Sequence, residues 1–226
     1  MTHYARRYAP ALLLATLVAC ASTAPPPDWQ SNAHGALKGF TSSYLTGNTT
    51  AAETEFARAR SEIASTGRLD RVARAELLRC AVRLAGLELD DCPGFVALAG
   101  DADARDRAYA DYLRGDWLGL DRTLLPAQHQ ALAALPPTQP DAPVLAAIED
   151  PLARLVAAAA LLRQGRLSPA GMALAADAAS GQGWRRPLLA WLGVQLQRSQ
   201  QAGDQTGAAR LQRRIDLVLG KVSSNP

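Results

Sequence analysis

From residue 28 onward, apolar residues return every three or four positions, the spacing that lines one face of an α-helix. Residues 29–45 form the first such stretch, which "TGN" at 46–48 ends; residues 51–65 form the second, closed by Thr66-Gly67. The third, 69–89, is the most regular: Val72, Leu77, Cys80, Leu84 and Leu87 fall largely on one face, with arginines and glutamates opposite. "DDCPGF" at 90–95 breaks the pattern, because proline and glycine together mark a turn. Helices are predicted next at 101–114 and 120–134, then at 144–164, 168–180, 185–202 and 205–220. "PPTQPDAP" at 136–143 is the strongest internal punctuation, and Pro151 kinks or restarts the helix that follows it. No run alternates in the strand manner, so the fold class is all-α. The organisation is an N-terminal helical half, 28–135, a Pro-rich linker, 136–143, and a C-terminal helical half, 144–226.

A different pattern precedes the helices. Arg6 and Arg7 lead into an apolar stretch of nine residues at 11–19, too short for a membrane-crossing helix, which needs roughly 20. A charged start, a short apolar centre and small residues before a cut site describe a secretory signal. The stretch ends in Leu17-Val18-Ala19-Cys20 and resembles the lipobox of bacterial lipoproteins; the plainer alternative is an ordinary signal peptide with an incidental cysteine. The resemblance implies that residues 1–19 are a signal peptide, that the Cys20 thiol is diacylglycerol-modified, and that the freed amine is acylated. With two or three chains at ~0.8 kcal/mol per buried CH2, such an anchor is effectively permanent. Ala21 stands where an inner-membrane-retained lipoprotein has aspartate, which implies the outer membrane, facing the periplasm. Residues 20–27 then read as the lipidated cysteine and a Pro-rich tether, spanning about 20 Å at ~3.1 Å per residue.

A second resemblance lies in the body. Gly47 followed by Ala52, Phe56 and Ala59 resembles the second helix of a tetratricopeptide repeat, where small residues admit close helix approach and an aromatic fills the next groove. Residues 161–175 and 201–215 share the glycine-turn-helix layout, but Leu174 and Gln212 stand at the aromatic position. Gly165 and Gly203 are 38 residues apart, against the repeat's ~34. Antiparallel helical hairpins in a tetratricopeptide-like array, or in an irregular one, are both open.

Charge changes the picture once the signal is set aside. The nominal +3 becomes 22 basic against 21 acidic side chains after residue 19, which removes the case for a nucleic-acid partner. The balance is uneven: residues 28–150 carry 12 basic and 18 acidic groups, and residues 151–226 carry 10 and 3. Either the halves neutralise each other across an internal interface, or the second half orients on an acidic partner or anionic surface. Lysine occurs only twice. With Cys20 consumed by lipid, Cys80 and Cys92 form an even pair in an oxidising compartment, and a disulfide is expected. The competing readings are two buried thiols or a metal site using Asp90 and Asp91, which would want nearby histidines or further thiols.

Catalytic signatures are not found: no nucleophile elbow, no S-x-x-K, no H-E-x-x-H, no phosphate loop, and only His34 and His129 after the signal. No cofactor, catalytic residue or metal ligand is expected. Two aromatic groups are candidate contacts: Tyr109, Tyr112 and Trp117 in "AYADYLRGDW", and Trp184 with Arg185 and Arg186 in "GWRR". Aromatics and arginine favour recognition surfaces, though in an alanine-rich helical protein large rings equally serve as core filling. The expectation is a periplasm-facing lipoprotein that serves as a protein-interaction scaffold or accessory factor of an envelope assembly or secretion machine. Its partners would be the membrane, through the acyl chains, and an envelope protein. A peptidoglycan-active enzyme or activator, and a lipid or small-hydrophobe binder, are the alternatives.

Overall fold

A computed structural model describes residues 25–221, so the lipobox and Cys20 lie outside the described residues. These residues form eleven α-helices and one 3-10 helix, with no strand among them. The helices are α1 Asp28–Thr46, α2 Thr49–Ala64, α3 Leu69–Ala85, α4 Pro93–Val96, α5 Ala104–Arg114, α6 Ala127–Ala133, α7 Ala142–Ala146, α8 Pro151–Arg163, α9 Pro169–Gly181, α10 Arg185–Gln201 and α11 Gln205–Val218. None is long and apolar enough to cross a membrane.

Punctuation in the chain maps onto helix ends. Asn48, Asp103, Asp150, Ser168 and Asp204 each accept a hydrogen bond from the amide three residues on, satisfying one of the orphan donors of a helix start. Pro151 and Pro169 occupy first-turn positions, where a missing N–H is no loss. Pro151 therefore restarts a helix rather than kinking one. The stretch predicted as one helix over 120–134 divides into a 3-10 turn, Arg122–Leu124, and α6, because Pro126 and the extended Leu125 cannot continue the ladder. The third helix ends at Ala85, earlier than its apolar pattern, and α4 at Pro93–Val96 has no counterpart among the predicted elements.

Three hairpins share one turn device. Gly47, Gly165 and Gly203 take left-handed backbone, with φ of 100°, 68° and 72°, and each is followed by an N-cap residue. In the first and third hairpins the cap follows the glycine directly; in the second, Arg166 and Leu167 intervene. Counting from the cap rather than the glycine, the residues matching Ala52 are Met172 and Ala208, all three buried. The residue matching Phe56 is then Ala176, not Leu174.

The centre of the body is α8. Residues 155–161 are all buried, so this helix is apolar on every side, and its alanines let neighbours approach closely. α3 packs along it, with α5, α6, α7 and α9 also against it, and α1 and α2 stack outside α3. One core runs without a break from Phe40 to Leu211. Asp141, within the Pro-rich 136–143 stretch, is itself buried; its carboxylate accepts from the Ser168 N–H at 2.8 Å, tying that stretch to the start of α9.

Beyond α3 the chain reverses through Leu87 and Cys92, the two non-glycine residues with positive φ among those described. Leu87 fills the left-handed position of a Schellman motif: its N–H bonds the Leu84 carbonyl at 2.8 Å, and the Glu88 N–H reaches Arg83 at 3.1 Å. The reversal brings Cys92 back to Cys80 at disulfide distance, with Cα atoms 5.3 Å apart. In non-reduced protein the intact mass should be two hydrogens lighter than in reduced protein. Reduction should lower unfolding free energy by about 3 kcal/mol on the loop-entropy scale. Free thiols in the mass spectrum would refute the bond.

Candidate interaction groove

The tyrosine–tryptophan group is part of the core. Tyr112 is wholly buried and stacks on Trp117, with ring centroids 5.0 Å apart and planes within 5°. Tyr109 also stacks on Tyr112, with ring centroids 6.0 Å apart. The Trp117 Nε1–H donates to the Tyr112 carbonyl at 2.9 Å, closing the C-terminal turn of α5, and His129 of α6 completes the cluster with its Nδ1 3.2 Å from the Tyr112 hydroxyl. As a contact surface, Tyr112 is excluded, and Tyr109 and Trp117 keep only half-buried edges. Burial pushes the tyrosine hydroxyls up and the His129 pKa down to about 4, which the Asp150 carboxylate only partly opposes.

Arg186 likewise points inward. Its Nε–H donates to the Tyr44 carbonyl at 2.8 Å, at the C-terminal end of α1, and its second nitrogen reaches Thr49 Oγ1 at 2.6 Å, at the start of α2. The guanidinium lies 4.2 Å from the Tyr44 ring centre and 3.5 Å from Glu88. Glu88 also accepts from the Tyr44 hydroxyl, and burial together with that bond holds this phenol well above its ordinary range. Trp184 is half-buried against the core, while Arg185 projects into solvent. The "GWRR" contact is thus corrected at Arg186: it is a clamp from α10 onto α1 and α2, because the Tyr44 carbonyl and Thr49 hydroxyl come within its reach only in the folded body.

The uneven charge of the two halves divides in the same way. Arg163 donates to the Asp90 carbonyl at 2.6 Å and pairs with Asp91 at 2.7 Å; with Arg186 to Glu88, these ties cross from the second half to the first. Arg154 and Arg166 spend their donors on backbone carbonyls of Ile148 and Leu135. In the first half Arg60, Arg74, Arg79 and Arg83 meet Glu76, Asp106, Glu53 and Glu88. Arg105 and Arg122 of the first half make no side-chain ion pair or hydrogen bond among the described residues, and neither do five arginines of the second: Arg185, Arg198, Arg210, Arg213 and Arg214.

Three of these five line one groove. It lies between α9, α10 and α11, encloses about 1020 Å³, and has Met172 and Leu211 at its base. Arg198 of α10 and Arg210 and Arg214 of α11 line it, with Gln195, Ser199 and Gln201 between them. Asp177 and Asp204 are its acidic members, and Asp204 is committed to capping Gly207 at 2.9 Å. A Cβ at Gly207 would meet the Asp204 carboxylate and displace that cap. Neither aromatic group of the sequence points to this groove; the signal that does is the i, i+4 pair Arg210 and Arg214 on α11.

No family model, curated protein or solved structure matches this chain. The groove and its arginines are therefore what a functional reading has to work from.

Replacing Arg186 by methionine should lower unfolding free energy by about 2–3 kcal/mol, the range for charge-assisted hydrogen bonds, with lysine recovering only part because it lacks the planar fork. Denaturant titration checks this, and an unchanged midpoint would refute the clamp. His129 makes a separate expectation for pH. Its pKa falls from 6.5 to about 4 on folding, so above pH 6.5 it contributes no pH dependence. Between those values the unfolded chain takes the proton and the folded one does not, so stability falls on acidification, by about 3 kcal/mol in all. His129→Gln should flatten that part of the stability–pH profile, and a profile identical to wild type would refute it.

Proposed function

We propose that this chain is an outer-membrane lipoprotein anchored through Cys20, whose helical body faces the periplasm and serves as a non-catalytic scaffold or accessory factor for an envelope assembly or secretion machine. The observation that carries the scaffold reading is the division among the arginines. Most are used internally, to pair carboxylates and close helix ends. Arg198, Arg210 and Arg214 are left over together, along one open groove. What supports the reading is their grouping: three unpaired guanidiniums lie along one groove, and such planar groups bind carboxylates in matched pairs. The lipobox supports the anchor: Leu17-Val18-Ala19-Cys20 resembles that of bacterial lipoproteins at every position. A cluster of short hairpins on a Pro-rich tether is a suitable body for such a role, because contacts are made by helix faces and not by a reaction centre.

Two measurements test the reading. Labelled palmitate should enter the wild-type protein and not Cys20→Ser, and equal labelling would end the anchor proposal. A photo-crosslinking residue in place of exposed Gln201, at the groove, should give a discrete adduct with an envelope protein in intact cells. If no adduct forms there, the scaffold reading fails.

A further inference from the structure

We infer that the groove between α9, α10 and α11 receives an acidic helical segment of the partner protein, with carboxylates set against Arg198, Arg210 and Arg214. The inference rests on the scaffold reading and names the chemistry of its occupant.

Charge complementarity carries it. Three guanidiniums without partners line the groove against two carboxylates, one of which is already held by the start of α11. Arg210 and Arg214 are one helical turn apart, and Arg198 stands on the neighbouring helix, so the charges face the groove from two sides. Leu217 extends the Arg210–Arg214 row by one more turn and is 67% exposed, the most exposed apolar side chain of α11. A segment with carboxylates at i, i+4 spacing and an apolar residue beyond them would satisfy the row in register. The volume, about 1020 Å³, accommodates several side chains. The recess also argues against a lipid surface: a bilayer lies flat across a groove and cannot follow it inward, whereas a single chain can.

The test uses the full chain purified in detergent and a fluorescent 16-residue peptide probe with glutamates at helical i, i+4 spacing and leucines one turn beyond. A second peptide carries glutamine in place of every glutamate. Anisotropy should show saturable binding of the acidic peptide, at least tenfold weaker binding of the glutamine peptide, and weakening with added salt. Arg210→Glu with Arg214→Glu should reduce affinity tenfold or more, while Arg105→Glu, on α5, should leave it unchanged. Arg198→Glu, a single exposed change on α10, provides the same reading if the double variant fails to fold. Equal binding of the two peptides, or full binding by the reversed variants, overturns the proposal. So does displacement of the peptide by vesicles of phosphatidylglycerol and phosphatidylethanolamine, which would assign the arginines to lipid. An in-cell adduct at Gln201 that persists in Arg210→Glu/Arg214→Glu would leave the scaffold reading standing and refute this one.

Discussion

Helix α10 supplies the donors on which the rest of the body closes. The last carbonyls of a helix have no partner within it and must find one elsewhere when water is displaced. Here two of them are met by one distant element: Arg186 reaches the Tyr44 carbonyl near the end of α1, and the buried Trp191 indole N–H reaches the Ala85 carbonyl at the end of α3, at 3.2 Å. The Tyr44 carbonyl also accepts the Gly47 N–H at 3.1 Å, so Arg186 adds a second donor there, whereas the Trp191 indole supplies the Ala85 carbonyl with its partner. The same solution recurs where Arg154 closes α7 and Arg166 meets the chain after α6. Arginine suits this work because one planar group can serve a carbonyl, a carboxylate and a ring face together, as Arg186 does.

That arrangement depends on close packing at the centre. A helix such as α8, whose residues 155–161 are all buried, can be crossed on every side only if its side chains are small. Its alanines allow α3, α5 and α9 to share it, and large rings such as Tyr112, Trp117 and Trp191 fill space elsewhere in the same core. Aromatics are few, 5% of the chain, and most of those among the described residues are drawn inward. That is why rings were poor markers of an outer surface.

Much of the helical order was legible from local signals. Glycine at 47, 165 and 203, followed by Asn48, Ser168 and Asp204, spells out the hairpin turns and caps, because these residues act through their own backbone neighbours. Cys80 and Cys92 could be paired by counting once Cys20 is set aside, and they lie at disulfide distance. What local pattern could not supply was the fate of side chains whose partners lie far along the chain. Arg186 beside Trp184 after a glycine turn has the sequence character of a surface contact; only the fold shows a carbonyl 142 positions away within reach. Arg210, Arg213 and Arg214 were the reverse case. Their spacing is visible, but their freedom is a statement about every carboxylate in the body, and that requires the whole structure.

The separations in those two closing bonds, 142 and 106 residues, also set an order of events. A chain that emerges N-terminus first presents α1 and α3 long before α10 exists. Until then the local caps of both helices can form, but the Ala85 carbonyl and the Tyr44 carbonyl lack the donors that α10 brings. Contacts of such long span are slow to form because loop closure precedes any reward. Early segments would therefore persist as loosely joined, proteolysis-prone hairpins, and commitment to the native body would come late and all at once, when the final third of the chain arrives.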